Sequence, residues 1–322
     1  MEGTPASRKA ALELLARARN SYALRSARQA YHLRISFAVD SQNQTDYDGA
    51  WEMEDLFVPG KGLHWTAQAA AGYSITGIAS NGELYAEGTD SLIPFRLEEA
   101  RGVLLHPLPS ASFASRESIR TATVSFQGSQ LTCLLLSSSS GKTAIPALGR
   151  SWEESEECID PQSGLLRTHS EAPGRYAVYD YSNAPQLGGS MLPRSVTISE
   201  GGRIVSKISV EMLEEITLTD QNLFVPSDEM RARGRSIEMT AVEKISRVHG
   251  ASTSGMTVRT VCVVGVVTPT GHLVEAHSLQ PSDPNSRAAV EDARLVNYAP
   301  PATAGAPLRQ HILFVMEKFV SK

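Results

Sequence analysis

The sequence predicts an α+β fold that is mainly β: an antiparallel β half-barrel covered by helices, followed by a small ββαβ unit. Three observations predict it. Apolar and polar side chains alternate over many short stretches, the pattern of half-buried strands. Gly, Pro and Asn-Gly turn signals separate those stretches at regular intervals. Nothing in the first two thirds alternates helix with strand, which argues against a parallel α/β sheet. A meander of roughly a dozen strands cannot stay flat, so it must curl into a barrel, a half-barrel or a sandwich.

The first element is a helix. Thr4 can cap it, and Pro5 fits the first turn, where its missing N–H costs nothing. Leu12, Leu15, Ala16, Tyr22 and Ala23 follow at helical spacing, with Arg8, Lys9, Arg17 and Arg25 on or near the other face. That apolar face is small and rich in Ala, which suits packing on a sheet better than lying on a membrane. Strands dominate from there. Tyr31, Leu33, Ile35, Phe37 and Val39 share one parity, opposed by His32, Arg34, Ser36, Ala38 and Asp40. Tyr47, Gly49, Trp51, Met53 and Phe57 repeat it. Pro59-Gly60-Lys61-Gly62 turns the chain into the Leu63–Trp65 strand, and Asn81-Gly82 is a strong hairpin signal. Ile93-Pro94-Phe95 opens a short helix over residues 96–108. Seven more strand-like stretches run from Ile119 to about residue 216.

Composition sets the remaining bounds. At 322 residues two domains are expected, placed at 1–226 and 256–322 with a polar, Arg-, Ser- and Gly-rich linker at 227–255 that has room for one added strand or a helical turn. An apolar share of 41% supports real cores. A net charge of −5 offers no basic field, so no nucleic-acid partner is expected. No apolar run reaches the roughly 20 residues that span a bilayer, and no signal-peptide core follows Met1. Two readings remain: a leader has been removed, or the protein is cytoplasmic.

The C-terminal stretch reads strand, turn, strand, loop, helix, loop, strand. Thr257 to Val267 is nearly all β-branched. Pro269-Thr270-Gly271 supplies the hairpin turn into residues 272–279. Asn285 can cap a helix with Ala289, Ala293 and Val296 on one face, which Pro300 and Pro301 end. Ile312, Phe314 and Met316 line one side of the last strand.

Little in the chain promises chemistry. Gly141-Lys142-Thr143 ends like a phosphate-binding loop, but Leu136 stands where that loop needs Gly, and Pro146 blocks the following helix. The eight histidines do not cluster. Glu153, Glu154, Glu156, Glu157 and Asp160 form an acidic run that reads as a solvated strand face. There is no G-x-S-x-G and no nucleophile context. No catalytic residue, metal or cofactor is therefore expected. Cys133 and Cys158 lie on strands and can form a disulfide if they face each other, which needs an oxidising compartment; two buried free thiols are the alternative. Cys262 reads as a small core side chain. The inward parity of Leu33, Ile35, Phe37, Trp51, Met53 and Trp65 is either a solid core or a hydrophobic cleft for an acyl chain, because both use the same side chains.

Two resemblances follow. The Trp51 and Trp65 strands, the Pro59-Gly60 turn, Pro94-x-Arg96, Cys158-x-Asp160 and Leu192-Pro193-Arg194 look like the LolA/LolB-like group over about residues 5 to 225. That resemblance implies a half-barrel that carries or senses lipid or lipoprotein acyl chains. The Val-rich strand, Gly271, Ala288-Ala289, Tyr298-Ala299-Pro300 and Gly305-x-Pro307 resemble the C-terminal domain of the TonB family. That resemblance implies a non-enzymatic periplasmic or cell-envelope protein that meets outer-membrane transport or envelope partners, and it favours the removed leader. Ile312, Phe314 and Met316 would then lie on a free strand edge that pairs with an extended peptide. The chain departs from that family in having neither its N-terminal membrane helix nor its Pro-rich spacer.

Overall fold

The computed structural model describes residues 4–22, 24, 29–41, 47–137, 146–147, 150–152, 154–217, 220, 222–238, 244–250, 257–298 and 306–321. The Gly141-Lys142-Thr143 stretch lies outside them. The fold is mainly β, with one large open antiparallel sheet. The first helix, α1, is Pro5–Ser21. The strands of the large sheet are β1 (Tyr31–Val39), β2 (Gly49–Val58), β3 (Gly62–Ala69), β4 (Ser74–Ser80), β5 (Glu83–Gly88), β6 (Ser118–Phe126), β7 (Ser129–Ser137), β8 (Ser155–Ile159), β9 (Leu166–Ala172), β10 (Arg175–Asp180), β11 (Ser195–Glu200) and β12 (Arg203–Glu215). They stand in the order β5-β4-β3-β2-β1-β12-β11-β10-β9-β8-β7-β6.

That order explains where the helices go. The chain lays down β1 to β5 outward to one edge, crosses to the far edge, and works back from β6 to β12 until β12 closes beside β1. The crossing segment carries α2 (Phe95–Leu105) and α3 (Ala111–Ala114) across the sheet face. Helix α2 is therefore enclosed on nearly all sides; Arg96, Leu97, Glu99, Ala100, Arg101 and Leu104 are all buried. Helix α1 begins as its sequence predicts, with the Thr4 hydroxyl accepting from the Ser7 N–H at 3.2 Å. It buries Ala11, Leu15 and Ala18. Its arginines reach across to the crossing: Arg8 donates to the Glu117 carbonyl at 2.6 Å and Arg19 to that of Pro109 at 2.7 Å.

The alternation read from the sequence is the alternation of burial. In β1 every second residue from Tyr31 to Val39 is buried. Ile35 stands opposite Met53 and Val210, and Phe37 opposite Trp51 and Ile208. The Phe37 and Trp51 rings stack at 5.3 Å. Trp65 stands opposite Gly77, whose missing side chain leaves room for the indole. A Cβ at Gly77 would collide with that ring, so Gly77→Ala is expected to cost about 1–3 kcal/mol through overpacking. A denaturant midpoint equal to that of the parent would refute this.

The C-terminal unit is a four-stranded sheet with one helix. Its strands are β13 (Lys244–His249), β14 (Thr257–Val267), β15 (Leu273–Ser278) and β16 (Ile312–Ser321), and they stand in the order β13-β16-β14-β15. The expected strand, strand, helix, strand succession is present, with α4 at Asp228–Arg233 and the helix of the unit, α5, at Ser286–Arg294. The expected edge is not. β16 pairs antiparallel with β14 on one side and parallel with β13 on the other, so Ile312, Phe314 and Met316 lie on an interior strand. The extra neighbour comes from residues 244–249, inside the stretch that reads as a polar linker.

One face of this sheet is covered by α5, through Ala289 and Ala293. The other face, with Cys262, Val264 and Phe314, packs on Phe95 of the crossing, Ala172 of the large sheet and Trp152 of the β7–β8 connection. Short parallel pairings of Leu308–Arg309 with Leu92–Ile93 and with Ile237–Glu238 add a second tie. The β9–β10 turn approaches so closely that a Cβ on Gly174, at φ +92°, would stand 2.5 Å from the Leu279 carbonyl oxygen. The two units thus share a closely fitted contact.

Candidate ligand-binding cavity

A cavity of about 470 Å³ lies between α2, the α2–α3 connection and the face of β8 to β11. Its size falls in the roughly 300–1,000 Å³ range of small-ligand pockets. Local sequence builds it. Gly102 faces open space where other residues would fill the groove. Pro107 and Pro109 end α2 and carry the chain over the cavity toward α3, whose start is capped by Ser110 accepting from the Phe113 N–H at 3.1 Å. Phe95, Val103, Leu108, Phe113 and Ile198 make the apolar wall, and His311 and Ile312 of the C-terminal unit close one end.

The opposite wall is polar. Glu157, on β8, is 1% exposed and stands opposite His169 on β9. His169 Nδ1 lies 3.5 Å from Glu157 Oε1. Burial pushes the imidazole down, but the hydrogen bond and charge of Glu157 outweigh it and hold His169 above its ordinary value. Tyr179, on β10, is fully buried, and burial lifts its phenol well above the usual range. Glu157 Oε2 and Tyr179 Oη have no hydrogen-bond partner.

Beneath this wall runs a buried ion network. Arg96 on α2 donates to both oxygens of Glu200 at 3.1 Å, to Glu99 at 2.9 Å and to Glu275 at 3.0 Å. Arg175 donates through Nε to Glu200 at 2.9 Å and also contacts Glu99 and Glu171. His277 Nε2 lies 2.6 Å from Glu200. Burial alone would raise Glu200, yet Arg96, His277 and Arg175 together hold it well below the carboxylate range. Burial wins at Glu275, which is raised. Glu275 and His277 belong to β15, so the network ties the two units while Glu99, Glu171 and Arg175 line the cavity.

The residues singled out in the sequence fall elsewhere. Leu33, Ile35, Phe37, Trp51, Met53 and Trp65 are all buried at 3% exposure or less, in the core of the β1–β3 half. None lines the 470 Å³ cavity; packing beneath α2 has filled that half, with Arg101 stacked over Trp65 at 4.2 Å. Ile35 and Met53 also edge a recess of about 580 Å³ that is otherwise walled by polar side chains such as Arg34, Glu52 and Gln68. Of the expected strand edge, Ile312 alone reaches the cavity. The disulfide is present: Cys133 on β7 and Cys158 on β8 are directly opposite and joined. The acidic run is no solvated face, since Glu154 is buried against Arg120 at 2.7 Å and Glu157 lines the cavity. Sequence reasoning missed Glu157, His169, Tyr179 and Arg96. Only the parity of Tyr179 in the Arg175–Asp180 strand pointed inward.

No family model matches the chain, and no curated protein matches it. Solved structures are similar in part. A domain from Vibrio parahaemolyticus described as outer-membrane lipoprotein-sorting is 10% identical, with a TM-score of 0.42, over 68% of this chain and 97% of that one. A LolA superfamily protein from Nitrosomonas europaea is 10% identical, with a TM-score of 0.40, over 66% and 96%. A DUF1329 family protein from Desulfovibrio piger is 9% identical, with a TM-score of 0.42, over 67% and 96%. None of the three is a TonB protein. Among the described residues, no helix is long and apolar enough to cross a membrane.

Proposed function

We propose that this chain is a non-enzymatic cell-envelope carrier that holds the apolar chain of a lipid or lipidated protein in the cavity between α2 and the sheet. The observation that carries this reading is the cavity itself: a ligand-sized space with one apolar wall, opened by Gly102 on a buried crossing helix. The Cys133–Cys158 bridge supports a periplasmic or envelope location, because such bonds persist in oxidising compartments. We take residues 1–226 as one unit and residues 256–322, joined by β13 from the connection, as the other, with the first as the working part and the second closing one end of its cavity. Outer-membrane transport partners, the other expectation, would have to meet a different edge, since β16 is paired on both sides.

The test is displacement of an apolar fluorescent probe, N-phenyl-1-naphthylamine. The parent chain is expected to bind it with a blue shift. Gly102→Phe fills the groove and is expected to weaken binding tenfold or more while keeping stability, because removing a helical Gly favours the helix by roughly 0.5–1 kcal/mol. A parent chain that binds no probe, or a variant that binds as well as the parent, sinks the reading.

A further inference from the structure

We infer that Glu157, His169 and Tyr179 form a head-group subsite in this cavity, built to take an uncharged group that both donates and accepts hydrogen bonds, such as a hydroxyl, at the end of an apolar chain. The inference rests on the carrier reading and names the class of ligand. Three observations carry it.

First, the subsite holds unused hydrogen-bonding capacity in a place that water-exposed side chains do not explain. Glu157 is 1% and Tyr179 0% exposed, both line the cavity, and Glu157 Oε2 and Tyr179 Oη are unpartnered. A buried polar group without a partner is costly, so such groups in a cavity wall mark what a ligand is expected to supply. Second, the two groups ask for complementary things. The free Glu157 oxygen is an acceptor, so the ligand must donate to it; a phenol donates, so the ligand must also accept. A hydroxyl meets both demands, and a methyl ester cannot meet the first.

Third, the surrounding charge rejects an anion. The cations nearby are engaged: Arg175 is held by Glu200, Glu99 and Glu171, and His169 lies against Glu157. A carboxylate or phosphate placed here would face Glu157, with Glu99 and Glu171 also in the lining and no free cation among the described lining residues.

The test uses three ligands that share a dodecanoyl chain and compete with N-phenyl-1-naphthylamine on the full chain at pH 7: 1-monododecanoyl glycerol, methyl dodecanoate and dodecanoate. The glycerol ester is expected to compete best, about tenfold better than the methyl ester, although the methyl ester is the more hydrophobic. Dodecanoate is expected to be weakest. Tyr179→Phe should lower the affinity of both esters about tenfold, since each can accept from the phenol, and leave the glycerol ester ahead. Glu157→Gln should remove the discrimination against dodecanoate. If the parent binds the fluorescent probe but ranks the three ligands by hydrophobicity, the subsite is overturned and the carrier reading survives. If the parent binds no probe, both fall. The parent's ranking decides the matter even if a variant does not fold.

Discussion

Replacing Glu200 with glutamine is expected to destabilise the fold by about 3–5 kcal/mol, the usual cost of breaking a buried ion pair by removing one partner. Glu200 is 1% exposed and is the acceptor on which Arg96, Arg175 and His277 converge. Without its charge the two guanidiniums stay buried with too little negative charge among them. The pH dependence has a definite sign. Because the folded-state carboxyl is held well below its unfolded value, the stability it contributes is present above about pH 4.3 and is lost as pH falls through the folded value. The gap between parent and variant should therefore be full at pH 7 and shrink in acid. A denaturant midpoint shift worth less than about 1 kcal/mol at pH 7 would show that the network is not the joint between the units. Because the network ends on Glu275 and His277, the variant should also loosen β15 first, seen as faster amide exchange there.

Asp55 should act in the opposite direction. It is fully buried on β2, neither carboxyl oxygen has a hydrogen-bond partner, and its nearest cation, Arg101, is 4.0 Å away. Burial lifts it to about 6, with Arg101 opposing only in part. A carboxyl raised above its unfolded value of about 3.9 contributes stability that is complete below that pH and is lost as pH rises through the folded value. A rise of that size corresponds to about 3 kcal/mol. The parent is thus expected to lose on the order of 2–3 kcal/mol between about pH 4 and pH 7 from this group. Asp55→Asn should flatten that slope and be about 1–2 kcal/mol more stable than the parent at pH 7. Denaturant unfolding at both pH values measures it; an asparagine variant less stable than the parent at pH 7 would mean that the Arg101 attraction outweighs the burial.

The strands of the large sheet were legible because their signal is local. The parity of Tyr31 to Val39 or of Trp51 and Met53 needs no knowledge of partners, and burial follows it residue by residue. The Thr4-Pro5 helix start was legible for a similar reason, since it depends on residue type within one element; Cys133 and Cys158 stayed open between a bridge and two free thiols, because their pairing depends on which strands are neighbours. The cavity was not legible. Leu33, Trp51 and Trp65 alternate as Ile198 and Tyr179 do, and nothing in the alternation says which half of the sheet α2 presses flat and which half it leaves open. Glu157 read as solvent-facing because four other acids share its run; only the pairing with β9 turns it inward, beside His169. The edge assigned to Ile312, Phe314 and Met316 failed because a strand's neighbours are a long-range property, and β13 came from a polar stretch.

By itself, then, the amino-acid order determined most element types and the face that most strands of the large sheet bury, which follow from backbone periodicity and side-chain polarity over a few residues. Only the tertiary structure decided the strand order, the closing of β12 against β1, the docking of the C-terminal unit through Arg96 and Glu200, and the placing of the cavity. Those depend on which distant surfaces meet, and a free energy shared between segments about a hundred residues apart leaves no mark on either segment alone.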